Sequence, residues 1–362
     1  LKIPAAPEDL DAAWLTAALR QDGALQRAAV VSFEIAPLAD GEGFMGQLLR
    51  VRLAYDLEES DAPASLVVKL SSQTPEMRQR IPTRLGYQRE VRFYQRIADQ
   101  TSLPTARCYY AEVDGETGLH VLLLEDLAPS RSGSTVAGGS PEQAELAVRE
   151  IAHFHAAWWE TPELERLDWL IDPELDAVAL REAHERWWPD FLDQVGERLP
   201  DPAREIGARL GEHRARVMRH LTRTPPRTLV HSDYKLDNLV FGTGEGRAPL
   251  VVLDWQLMRR GRGVFDVAFL LSQNLEPRER RAVEMDLLSV YHRVLLEDGV
   301  RGYAFEQCLY DYRMSLLARF GALISTIAAM PFTRKQIEMH IDVLLPRCCA
   351  AILDHDAGEL LV

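Results

Sequence analysis

The chain changes its residue periodicity part-way along, and that change limits the folds open to it. Val30–Leu38, Gln47–Tyr55, Ser65–Leu70, Arg107–Val113 and Leu119–Leu124 are short, rich in β-branched and aromatic residues or alternating in polarity, as strands require. Between them, Gly86–Gln100 sets Tyr87, Val91, Tyr94 and Ala98 at helical spacing, and Pro7-Glu8-Asp9 opens a helix predicted to run to about Gln21. The Ser- and Gly-rich stretch Pro129–Pro141 reads as a loop. Beyond it lie helices at Pro141–Trp159, Leu175–Val195, Pro202–Thr222, Arg278–Leu296, Phe305–Met330 and Thr333–Asp354, broken by short strands at Thr228–His231 and Leu250–Leu253. Strands first and helices later predict an α+β protein of two lobes: a small antiparallel five-stranded sheet with one main helix, then a larger, mainly helical part. The junction falls at Glu125-Asp126-Leu127, so the lobes are expected at residues 1–125 and 126–362.

With 362 residues the chain can bury two cores. Its net charge of -14 argues against nucleic acid as a partner, which needs clustered Lys and Arg. The acid excess is compatible with a cationic ligand, although it serves solubility equally well. Cys108, Cys308, Cys348 and Cys349 form no C-x-x-C pair and have no His at zinc-ligand spacing; buried free thiols in a reducing compartment are expected. Leu1–Leu25 lacks the basic and apolar regions of a signal peptide, and Ser315–Met330 is too short to span a bilayer. A cytoplasmic protein with no membrane partner is expected.

Chemistry concentrates in His231-Ser232-Asp233-Tyr234-Lys235-Leu236-Asp237-Asn238 and in Asp254, which ends the apolar run Leu250–Leu253. His-x-Asp-x-x-x-x-Asn is a spacing used for phosphoryl transfer, where alignment and charge neutralisation matter more than covalent chemistry. Asp233 is the candidate base that orients an acceptor hydroxyl, and Lys235 can neutralise charge on the migrating group. Asn238 and Asp254 offer the oxygen donors that Mg²⁺ prefers. Gly41, Gly43 and Gly46 match Gly-x-Gly-x-x-Gly. A dinucleotide-binding turn would open a helix, but a strand follows here, which favours a loop covering phosphates. Lys69 ends the next strand and can reach α- and β-phosphates if an acid holds it extended; Glu90, on the inward face of its helix, is that acid. Convergence of Lys69, Asp233, Asn238 and Asp254 on one triphosphate-sized cleft is the central expectation.

These residues, with Ala152–Trp159 and Gly263–Phe269, resemble the aminoglycoside phosphotransferase and choline kinase superfamily, relatives of the protein kinases, over about residues 30–330. Leu253-Asp254-Trp255-Gln256 is most similar to its ecdysteroid-kinase-like branch. The resemblance implies a bilobal fold, ATP with Mg²⁺, transfer of the γ-phosphoryl group to a hydroxyl of a small molecule, a structural Asp266 anchoring the catalytic loop, and cofactor contacts at Glu125 and Leu127. His155 reads as a packed helix residue. Lys235 stands where many aminoglycoside enzymes carry His. Only eleven residues separate Asp254 from Asp266 and no Ala-Pro-Glu follows, so a peptide-docking segment is missing and a protein substrate is not expected. The alternative is a catalytically silent kinase-like binding protein, whose mark would be loss of Lys69, Asp233, Asn238 or Asp254; all four are present. Trp158-Trp159 and Trp187-Trp188 are candidates for the aromatic walls of an acceptor pocket.

Overall fold

Alternating strands bury one side each, and in the first of two compact units five of them close that side by hydrogen-bonding into a single antiparallel sheet. The computed structural model describes residues 1–38, 46–170, 175–242, 248–329, 336 and 338–362. Its first unit is Leu1–Arg131 with Thr243–Leu257; the second is Ser132–Gly242 with Met258–Val362. The strands β1 (Val30–Pro37), β2 (Gly46–Tyr55), β3 (Ser65–Ser71), β4 (Cys108–Val113) and β5 (His120–Glu125) lie in the order β1-β2-β3-β5-β4.

Leu66, Val68 and Leu70 of β3 are fully buried in one cluster with Val51, Val121, Leu123 and the helix residues Leu15 and Leu19. That helix, α1, is Ala12–Asp22, shorter than the sequence predicts. Asp11 caps it by accepting from the Trp14 N–H at 2.7 Å, and Pro7–Asp9 is a separate 3₁₀ turn. Because strand side chains alternate, Lys69 turns away from this cluster. It faces α3 (Ile81–Arg96), which follows the short α2 (Pro75–Gln79) and packs on β4 and β5. The short strand Leu250–Val252 is fastened to this unit by the Val252 N–H to Pro104 O bond of 2.9 Å and a parallel bridge to Thr105.

The second unit is helical: α4 (Pro141–Ala157), α5 (Pro162–Arg166), α6 (Ala177–Val195), α7 (Asp201–Thr222), α8 (Val264–Asn274), α9 (Pro277–Glu297) and α10 (Phe305–Ala329). All eleven residues of α8 are buried, so it carries no polar stripe and its helical period is invisible in the sequence. The sequence reading accordingly gives Gly263–Phe269 no secondary structure. α10 packs on α6, α7 and α8, while α4 packs on α9. Strands Thr228–Val230 and Arg259–Gly261 pair antiparallel; the second of these is not anticipated. The last predicted helix is divided: Glu338–Leu344 is π-helical and Leu345–Asp354 α-helical, while its first three positions and residue 337 lie outside the described residues. Cys308, Cys348 and Cys349 are buried free thiols and Cys108 is half-buried. Among the described residues, no helix is long and apolar enough to cross a membrane.

Candidate active site

In the first unit the chemistry gathers around Lys69. Its Nζ lies 2.8 and 2.9 Å from the two Glu90 carboxylate oxygens and 3.3 Å from Asp254 Oδ1. Glu90 is 1% exposed and Lys69 14%, so neither could be charged there alone without a large desolvation cost. Burial pulls the Lys69 ammonium down, but Asp254 and Glu90 outweigh it and hold the group above its ordinary value. Burial pushes the Glu90 carboxyl up against the pull of Lys69. Both Glu90 oxygens accept hydrogen bonds, one from Lys69 and one from the Gln256 amide at 3.0 Å, so the ionised form is the one housed.

Asp254 is brought to Lys69 by the segment after Leu250–Val252. Trp255 stacks on Phe93 of α3 with ring centroids 3.8 Å apart, which orients the turn. Asp254 itself has φ of 65°, a left-handed conformation that Asp tolerates better than most residues. Its carboxylate is 38% exposed. Gln256, which the sequence reading uses only as a family mark, proves to be a second holder of Glu90.

The remaining first-unit candidates are distributed along the sheet. Gly41 and Gly43 lie outside the described residues. Gly46 opens β2, where a Cβ would meet Leu70 O at 2.4 Å; the close strand pairing alone demands glycine. Glu125 ends β5, and its N–H donates to Arg107 O at 2.8 Å. Leu127 is buried, and its carbonyl accepts from Ser130 N–H at 3.0 Å. Between them, Asp126 accepts from Arg50 Nε and Nη2 at 2.7 and 3.1 Å and from Ser65 Oγ at 2.8 Å.

In the second unit Asp233 sits in a loop whose backbone is held from beneath. Fully buried Asp266, in the first turn of α8, accepts from His231 N–H at 2.7 Å and Ser232 N–H at 2.8 Å. Its third donor is the buried His155 of α4, whose Nε2 lies 3.2 Å from Oδ2. A carboxylate accepts only, so Nε2 is the donor there, and Nδ1 lies 3.0 Å from Tyr291 Oη. His155 is thus part of the support beneath the loop as well as a packed helix residue. Gly263 completes the arrangement, since a Cβ there would lie 2.5 Å from Tyr291 Oη and 2.7 Å from His155 Nδ1.

This anchoring sustains Ser232 at φ of 71°, a strain of about 1–3 kcal/mol that a free loop would relax. On the anchored turn, Asp233 N–H donates to His231 Nδ1 at 3.2 Å. Asn238 Nδ2 donates to the Asp233 carbonyl and to its Oδ2, both at 2.9 Å. Lys235 Nζ lies 2.9 Å from the same Oδ2. Asp233, Lys235 and Asn238 therefore form one hydrogen-bonded group.

The tryptophan candidates are largely committed to packing. Trp158 is buried, Trp159 packs on Tyr303 at 4.9 Å, and Trp188 stacks between His184 and Phe191 at 5.7 and 5.4 Å. Trp187 lies under Arg214 at 5.6 Å. Among the described residues no group of three or more His, Cys, Asp or Glu could hold a metal ion by itself. Asn238 and Asp254 remain as hard oxygen donors of the kind that Mg²⁺ uses alongside substrate phosphates.

The sequence profile of the Ecdysteroid kinase-like family matches residues 40–299. No curated relative matches the chain in sequence. Among solved structures, a Plasmodium vivax ethanolamine kinase superposes with a TM-score of 0.55 at 11% identity, over 90% of this chain and 83% of its own. A microcompartment-associated aminopropanol kinase gives 0.54 at 14% identity, covering 97% of this chain and 100% of its own. The GDP complex of wild-type aminoglycoside 2'-phosphotransferase-IIIa gives 0.52 at 12% identity, covering 94% and 99%. At such identities these likenesses establish the fold, a protein-kinase-like α+β architecture.

Proposed function

The chain belongs to the ecdysteroid kinase-like family, and from that premise we propose that it is an ATP- and Mg²⁺-dependent phosphotransferase that moves the γ-phosphoryl group to a hydroxyl of a small molecule. The observation that supports this most is the Lys69 ammonium, kept charged between Glu90 and Asp254. A buried cation held by two acids, one of them 38% exposed, is suited to meet phosphate oxygens.

The Asp233 carboxylate orients the acceptor hydroxyl and takes its proton as the new O–P bond forms and the bond to the β-γ bridging oxygen breaks, leaving ADP. Lys235, already on that carboxylate, puts positive charge beside the migrating group. The Asn238 amide nitrogen is spent on Asp233, which turns its Oδ1 to other use. Mg²⁺, when bound, would neutralise phosphate charge, with Asn238 and Asp254 as its oxygen donors. Gly41, Gly43 and Gly46 are assigned to cover the phosphates, and Glu125 and Leu127 to contact the nucleotide.

Asp233→Asn tests the reading. Turnover of ATP with an accepted hydroxyl compound should fall about 10²–10⁴-fold, while ATP affinity by titration calorimetry stays close to wild type. Near wild-type turnover would remove Asp233 as the base. Unchanged ATP titration heats in Lys69→Ala would remove the nucleotide assignment.

A further inference from the structure

In the second unit, Arg319 lacks, among the described residues, the carboxylate partner that several neighbouring arginines have. Arg319, on α10, is half-buried, with its guanidinium carbon 3.3 Å from the centroid of the Phe269 ring. Its Nη2 donates to the neutral Gln273 amide oxygen at 3.1 Å, and its buried Nε has no hydrogen-bond partner among the described residues. Among the described residues it makes no ion pair. Arg262, Arg280 and Arg347 of the same unit each face a carboxylate, on Asp311, Glu284 and Glu276. Holding a guanidinium away from water without an anion is costly, and here burial pulls it down to about 10.

Arg214 also lacks a carboxylate, but the setting of Arg319 differs. Its guanidinium faces the rings of Phe265 and Phe269, which flank Asp266 on α8. Asp266 is the carboxylate that holds the His231 and Ser232 N–H groups just before Asp233; the Asp233 charge acts on Arg319 as well. A second guanidinium, that of Arg259, lies 4.3 Å from the centroid of Phe265, the ring whose centroid is 5.8 Å from Arg319. Lys235 adds a third positive charge on Asp233 itself. A cationic group of the acceptor seated at Arg319 would meet like charge, whereas a carboxylate or phosphate there would meet a planar donor fork already stacked in place.

We propose that the acceptor carries an anionic group, a carboxylate or a phosphate, besides its hydroxyl, and that Arg319 binds that group next to Asp233. The inference rests on the phosphotransferase reading above and narrows its substrate to hydroxylated anions.

Matched compounds test it: ω-hydroxyhexanoate, its methyl ester, ω-aminohexanol and ω-hydroxyhexyl phosphate, with phosphoryl transfer from labelled ATP followed for each. At least one anion should be favoured over the amine and the ester by tenfold or more in kcat/KM. The carboxylate and phosphate arms separate the two sources of charge. Arg319→Gln should erase that preference, chiefly by raising KM for the anion. Arg319→Lys, which keeps the charge and loses the fork, should retain part of it; should Arg319→Gln fail to fold, the Lys variant decides. Preference for the amine or the ester, a ratio unmoved in both variants, or ATP binding without transfer to either anion overturns the proposal. A protein that neither binds ATP nor transfers to any of the four overturns the phosphotransferase reading instead.

Discussion

Lys69 and Asp233 are held in place by different means. In the first unit, Lys69 is fixed by side chains alone: Glu90 from a helix, Asp254 from the turn after a short strand, and Gln256 bracing Glu90. In the second unit, Asp233 is positioned through its backbone, because Asp266 grips the two preceding N–H groups and His155 grips Asp266. A side-chain ion pair can be exchanged for apolar groups with little loss of stability, since its Coulomb gain roughly offsets its desolvation. Short of proline, no substitution removes a backbone N–H, so the carboxylate that satisfies these two has no apolar substitute. The first arrangement sets a charge; the second sets a loop geometry.

The sharpest way to break this contrast is Asp266→Ala. Three buried donors then lose their acceptor, each worth about 1–3 kcal/mol, so urea unfolding should show a loss of about 3 kcal/mol or more. Transfer should also fall by orders of magnitude. A loss below about 1 kcal/mol would mean the loop does not depend on Asp266.

The first unit should behave differently under paired replacement. Glu90→Ala alone leaves buried Lys69 with Asp254 as its remaining acid and should cost about 3 kcal/mol. Lys69→Met combined with Glu90→Leu should recover most of that, to within about 1 kcal/mol of wild type, while abolishing ATP binding. A double variant no more stable than Glu90→Ala would erase the distinction between the units.

The smallest effect expected concerns His120 of β5, fully buried, stacked on Tyr87 at 3.8 Å and, among the described residues, without a hydrogen-bond partner for either ring nitrogen. Burial holds its imidazole well below the ordinary value, with Lys69 adding to the effect. The unfolded chain therefore takes up a proton first. The stability that neutral His120 permits is complete above about pH 6.5 and is lost as pH falls toward the folded value. The loss is at most about 1.4 kcal/mol per pH unit. His120→Leu should flatten the urea midpoint between pH 7 and pH 5 by that component. An undiminished acid slope would point to other groups.

Parts of both arrangements were legible in the chain because they depend on local period. Lys69 leaves the buried face of β3 by strand alternation, and Glu90 lies one helical turn from Tyr87 and Tyr94, so their meeting needs only a helix laid on a sheet. Asp233, Lys235 and Asn238 interact within six residues, which spacing alone can foresee. Other features were not legible, each for a physical reason. α8 hides its helical period by being buried all round, and the break before α1 depends on a cap at Asp11. Gln256 reaches Glu90 across 166 residues of chain. Arg319 and Phe269 share no pattern with the loop motif, and the net negative charge gave no sign of a guanidinium that makes no ion pair among the described residues.

What the sequence determined by itself is the order of strands and helices and the set of chemically competent residues, because propensity, alternation and short spacings act over a few residues. The tertiary structure alone decided which of those residues share a proton, a charge or a ring face. Asp254 reaches Lys69 and Asp266 grips the loop only after distant segments pack, and burial then fixes which groups can stay charged, since the cost of desolvation exists only once water has been excluded.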